Sequence, residues 1–169
     1  MKVTGKRRRI EGKTNYTKRR RLLEGRKPRI VIRKTNKYIL IQYVESKVAQ
    51  DVVKCSSISR GLIDYGWLER KTGSLKSLGA AYLTGFLFGN KIKELGLEKN
   101  QAILDTGLIR STKGSRVYAA VKGITDAGVK ISCNPEMFPE EKRIKGENIN
   151  EFFDKVKENV MKNTGGKKK

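Results

Sequence analysis

The chain contains no histidine at all. Every mechanism that needs an imidazole as base, acid or metal ligand is therefore excluded. There are two cysteines among 169 residues, Cys55 and Cys133, too far apart for a CxxC pair or a zinc cluster. Both read as buried, reduced, small apolar residues of a cytosolic protein. Proline is scarce, at three, and tryptophan occurs once, as Trp67. No apolar run approaches the roughly 18 residues of a membrane span, and no apolar stretch with a small-residue cleavage site follows the N-terminus, so neither a membrane protein nor a secreted one is expected.

Acidic residues are also few, 17 against 39 Lys and Arg, which gives a net charge of +22. The excess is uneven. Residues 1–37 hold 16 cations and only two acids, Glu11 and Glu24, so +14 of the +22 lies in under a quarter of the length. Charges this dense repel, and the first 25 or so residues are expected to order only against a polyanion. Nucleic acid fits, because each phosphate neutralised releases condensed counterions. An anionic membrane fits less well, since residues 1–21 offer only Val3, Ile10 and Tyr16 as bulky apolar groups. The plain alternative is a solvated tail or a localisation signal.

Pro28 separates this arm from a segment of alternating character. In 29–35 (RIVIRKT), Ile30 and Ile32 face one way and Arg29 and Arg33 the other, which predicts a half-buried strand with a basic outer face. A turn at Thr35-Asn36-Lys37 and a second strand over 38–45 complete a hairpin; a third strand is expected over 51–57. Residues 58–78 read as irregular, with Trp67 more at home in a core than as a stacking platform. Helical spacing follows over 79–95, ended by Gly96. Gly85 and Gly89 on that helix suggest a close approach to another element. A strand over 101–106 leads to a polar loop, then a helix over about 115–128 with Ser115 as N-cap and Gly128 as stop. A short strand at 129–133 and an amphipathic helix from about Asn148, with Ile149, Phe152, Phe153, Val156 and Val160 on one stripe, close the chain.

The order β-β-β-α-β-α-β-α implies an α/β protein with one mixed sheet and helices packed on it. We divide the chain into a basic arm (1–27), an α/β core (28–133), a C-terminal loop and helix (134–163) and a basic tail (164–169).

Six stretches carry a resemblance: Gly12 to Tyr16, Pro28 to Lys37, Tyr65-Gly66-Trp67, Ala80 to Gly85, Ile103 to Leu108, and Thr112 to Val117. In register they resemble the archaeal-type ribosomal protein eighteen of the large subunit, whose eukaryotic counterpart is numbered five. Leu78-Gly79 and the Ile109 and Ser111 flanking Arg110 depart from that pattern. The resemblance implies a three-layer, ribonuclease-H-like fold. It implies binding of 5S rRNA in the central protuberance of the cytoplasmic large subunit, with contacts to large-subunit rRNA and to neighbours including protein five. No cofactor, metal, membrane or small-molecule substrate is expected.

The residue chemistry selects the candidate contacts. The arm supplies Lys6, Arg7, Arg8, Arg9, Lys13, Lys18, Arg19, Arg20 and Arg21; Tyr16 can stack on an unpaired base. The hairpin supplies Arg29, Arg33, Lys34, Asn36 and Lys37. The loop opening a helix supplies Arg110, Lys113, Ser115 and Arg116, where free N–H groups favour a phosphate. A non-specific basic RNA chaperone is the alternative. Two enzyme readings fare worse. Asp105-Thr106-Gly107 matches the aspartic-protease pattern, but such enzymes are nearly all β, and Asp105 reads instead as a strand-end Asp bonding its own turn. A metal-dependent nuclease would have only Asp51 and Asp105 as strand carboxylates.

Overall fold

The computed structural model describes residues 5–47, 50–67, 74–146 and 150–164. A five-stranded sheet lies at the centre. Its strands are β1 (Arg29–Lys34), β2 (Ile39–Lys47), β3 (Gln50–Ile58), β4 (Ala102–Asp105) and β5 (Ile131–Ser132), in the order β3-β2-β1-β4-β5. β1 pairs antiparallel with β2, and β2 with β3, whereas β4 runs parallel to β1 and β5 parallel to β4. This is the expected mixed sheet, and the order is compatible with the ribonuclease-H-like topology. The Thr35 hydroxyl closes the first hairpin, accepting from Tyr38 N at 2.8 Å and donating to Tyr38 O.

The basic arm ahead of the sheet forms two helices, α1 (Arg7–Ile10) and α2 (Tyr16–Glu24). Within the sheet, alternation sets the inner face. Ile30, Ile32, Ile39, Ile41 and Tyr43 all point to one side and are at most 1% exposed. Two further helices cover them, α3 (Leu78–Glu94) and α4 (Arg116–Asp126). Gly85 lets α3 approach α4, as its place in the sequence suggested. A Cβ there would stand 2.1 Å from Ala120 O, and one at Gly123 would stand 2.1 Å from Tyr82 O. Backbone therefore lies against backbone, an approach no larger residue allows.

Helix α5 (Glu141–Lys145) and helix α6 (Asn150–Thr164) complete the packing at the start of α3. Phe153, Val156 and Val160 of α6 are buried as the stripe requires, while Phe152 is half-buried. Asn148, Ile149 and the tail from residue 165 lie outside the described residues. Trp67 joins the core at 1% exposure, following a 3-10 helix (Ser59–Tyr65) where irregular chain was expected. Cys55 is buried and Cys133 half-buried; both are free thiols pushed above their ordinary pKa by burial.

Candidate nucleic-acid interface

The arm is more ordered than its charge density predicts. Asn15 caps α2, its Oδ1 accepting from Lys18 N at 3.0 Å. Its two acids are bracketed by cations, Glu11 by Arg7 (3.5 Å) and Lys13 (2.9 Å), and Glu24 by Arg20 (2.9 Å). Part of the remaining repulsion is relieved by the body of the protein. Lys18 Nζ donates to Thr106 Oγ1 and Gly107 O, both at 3.1 Å, and Arg19 Nη2 meets Asp51 Oδ2 at 2.8 Å. Leu22 and Leu23 are half-buried, and a Cβ at Gly25 would lie 3.3 Å from Ile103 Cδ1. The expectation that only a polyanion orders the arm is thus corrected: carboxylates and carbonyls of the domain partly take that role. Helix α2 lies on the face of the sheet opposite α3 and α4.

That docking also corrects the reading of Arg29. Arg29 and Arg33 do share the face opposite Ile30 and Ile32, but Arg29 is no solvated cation. Its side chain is 2% exposed. Nη2 donates to Asp51 Oδ1 at 2.6 Å and to Ser46 Oγ at 2.9 Å, and Nη1 reaches Asp105 Oδ2 at 3.2 Å. A buried guanidinium tolerates this only because two carboxylates neutralise it. Ser46 Oγ in turn donates to Asp51 Oδ1 at 2.6 Å. Burial works against the charge of Asp51, but the bonds from Ser46, Arg19 and Arg29 outweigh it and hold the carboxyl below its ordinary pKa.

Asp105 bonds its own turn as read, Oδ1 accepting from Gly107 N at 2.8 Å. The same turn seats Arg33. Nη1 of Arg33 donates to Asp105 O at 2.8 Å and Ile32 O at 3.0 Å, and Nη2 meets Asp105 Oδ1 at 3.2 Å. Gly107 has φ +61°, and a Cβ there would lie 3.0 Å from Arg33 Cζ, so the guanidinium needs a glycine beneath it. The two strand carboxylates that a nuclease would need are therefore held by arginines.

Between arm and sheet lies a half-open cleft of about 450 Å³. Arg8, Lys13, Lys18 and Arg19 line it from the arm, Arg33 and Lys34 from β1, and Thr106, Gly107 and Ile109 from the loop after β4. Asp105 is the one acid on its wall among the described residues, and it is paired. A concave wall with this excess of cations focuses positive potential and attracts phosphates.

The other candidate residues are dispersed. Arg9 and Tyr16 line a neighbouring recess of about 390 Å³. Tyr16 is half-buried, with Lys6 Nζ 4.6 Å from its ring centroid. Arg7, Arg20 and Arg21 are exposed but do not line the cleft, and Asn36 and Lys37 are exposed at the β1–β2 turn. Arg110 and Lys113 are exposed in the loop before α4, and Arg116 is half-buried at the start of that helix. Ser115 holds the N-cap position, yet its hydroxyl makes no capping bond; Oγ is buried without a partner among the described residues. Two contributors escaped the sequence reading. Asn15 acts through its cap, which the Asn before a basic run does signal. Arg143 comes from α5, where a Cβ on Gly114 would lie 3.0 Å from its Nη1, and nothing local in the sequence announces it.

An α/β domain with six cations converging on one cleft, whose one acid among the described residues is already paired, has the make-up of a nucleic-acid-binding protein. The chain belongs to the family of ribosomal large subunit proteins 60S L5 and 50S L18, which matches residues 2–101 and 94–134. It is 49% identical over 152 residues to the large ribosomal subunit protein uL18 of Korarchaeum cryptofilum, spanning 90% of this chain and 75% of that one. The uL18 of Methanothrix thermoacetophila is 47% identical over 86% of this chain and 83% of its own length. That of Methanococcoides burtonii is 42% identical over 92% and 91%. This is a large-subunit ribosomal protein, of a family that is structural and not enzymatic, and its place is in the ribosome.

Proposed function

We propose that the protein binds 5S rRNA and helps attach it to the central protuberance, contacting large-subunit rRNA and neighbouring proteins including protein five. The observation that carries this reading is the convergence of Arg8, Lys13, Lys18 and Arg19 of the arm with Arg33 and Lys34 of β1 on one cleft. Such a cleft suits a folded RNA whose phosphates approach from two directions. Arg33, fixed at its turn, holds its positive charge at the wall of the cleft. The exposed cations of the arm and of the loop around Lys113 extend the contact as further phosphate partners.

The test is an equilibrium titration of 5S rRNA and of an unrelated RNA of equal length, at physiological salt. Preference for 5S rRNA by at least about tenfold, which is about 1.4 kcal/mol, is the expected result. Equal affinity would reject the specific reading and leave a general basic RNA chaperone.

A further inference from the structure

Of the few acids of this cationic chain, Asp105 lies on the wall of the cleft and Asp51 pairs with Arg19, which lines it. They alternate with arginines in one continuous chain of ion pairs: Arg19 of α2 to Asp51 of β3 (2.8 Å), Asp51 to Arg29 of β1 (2.6 Å), Arg29 to Asp105 of β4 (3.2 Å), and Asp105 to Arg33 of β1 (3.2 Å). The two ends of the chain, Arg19 and Arg33, both line the cleft. Its middle, Arg29, is sealed inside. Three guanidiniums this close would push apart; each carboxylate between two of them replaces repulsion by attraction.

We propose that Asp51 is a positioning residue for RNA binding, one that raises the affinity of this protein for a polyanion although its own charge opposes it. Asp51 ties the arm helix to the sheet through Arg19 and so sets the distance between the two walls of the cleft. Binding then does not have to order the arm first, and that lowers its entropic cost. Asp105 fixes Arg33 on the opposite wall in the same way. This inference rests on the RNA-binding reading above, but its structural half stands on the arm alone.

The substitution Asp51→Asn separates charge from geometry. It raises the net charge from +22 to 22 + 1 = +23, so charge alone requires equal or tighter binding. The geometry requires weaker binding, by about tenfold, within the span of coupling energies measured for residues sharing one network. The intact chain is titrated with 5S rRNA, and trypsin cleavage within residues 7–21 is followed separately without RNA. Faster arm cleavage together with weaker binding supports the proposal. A folded Asp51→Asn protein with a protected arm and equal or tighter binding overturns it. Should Asp51→Asn not fold, Arg19→Gln decides, because it removes the ion pair between arm and sheet while leaving Asp51 on Arg29. Faster arm cleavage at an unchanged melting temperature supports the latch; an arm as well protected as in the parent overturns it. If the parent binds no RNA, the proposed function fails, while the cleavage result still judges the latch.

Discussion

On one face of the sheet α3 and α4 press on Ile30, Ile32, Ile39 and Ile41, with Gly85 and Gly123 bringing backbone against backbone. On the other face α2 is fastened by ion pairs and hydrogen bonds to Asp51, Thr106 and Gly107, with Leu22 and Leu23 half-buried and no α2 residue fully buried. The first face is stabilised by apolar burial and close packing, which salt hardly touches. The second depends on charges, some of them partly exposed to solvent, and is screened accordingly. The side that holds the fold together and the side that carries the cationic cleft thus obey different rules. A family that lives among phosphates has reason to keep them apart, since cations committed to the core could not bind RNA.

Arg29 is the residue that breaks this division, being a cation with the burial of a core residue. Arg29→Ala is expected to destabilise the domain by about 2–3 kcal/mol, because a side chain only 2% exposed leaves a cavity and Asp105, although it keeps Arg33, loses one of its two guanidinium partners. Thermal or urea unfolding checks this, and a change under about 0.5 kcal/mol, usual for surface positions, would return Arg29 to the solvated outer face. Next comes the packed face. Gly85→Ala places a methyl group against Ala120 O and is expected to cost about 1–3 kcal/mol by overpacking. The affinity of the folded protein for RNA should stay as it was. A gain in stability from improved helix propensity would mean that α3 and α4 can separate freely. The smallest effect belongs to the arm surface. Arg20, 82% exposed and paired with Glu24, stands apart from the cleft. Arg20→Ala should leave unfolding within about 0.5 kcal/mol. If Arg20 meets a phosphate, the slope of log affinity against log salt falls by about 0.7–0.9; an unchanged slope would remove Arg20 from the contact.

Much of the core was legible in the residues. Period-two alternation located β1 and β2, helical spacing located α3, α4 and α6, and the spacing of Gly85 and Gly89 pointed to the close approach that α3 makes. Asp105 reads as a strand-end residue bonding its turn, and it does so. The site was legible as a set of cations but not as a place. Alternation shows that Arg29 and Ile30 face opposite ways; it cannot show that the polar side is covered. The partners that bury Arg29 lie 22 and 76 residues along the chain, at Asp51 and Asp105. Ser115 shows the limit from the other side: the N-cap position was right, but its hydroxyl does not make the bond that the position predicts.

The sequence by itself determined the class of fold, the faces of its strands and helices, the absence of histidine chemistry and the pull toward a polyanion, because these follow from local periodicity and from charge, which is additive along a chain. Tertiary structure alone decided which arginines remain available. Arg29, Arg19 and Arg33 are chemically identical in the sequence, but the carboxylates brought to them by distant strands bury the first, tie down the second and aim the third, since a charge takes its role from the neighbours that solvate or pair it.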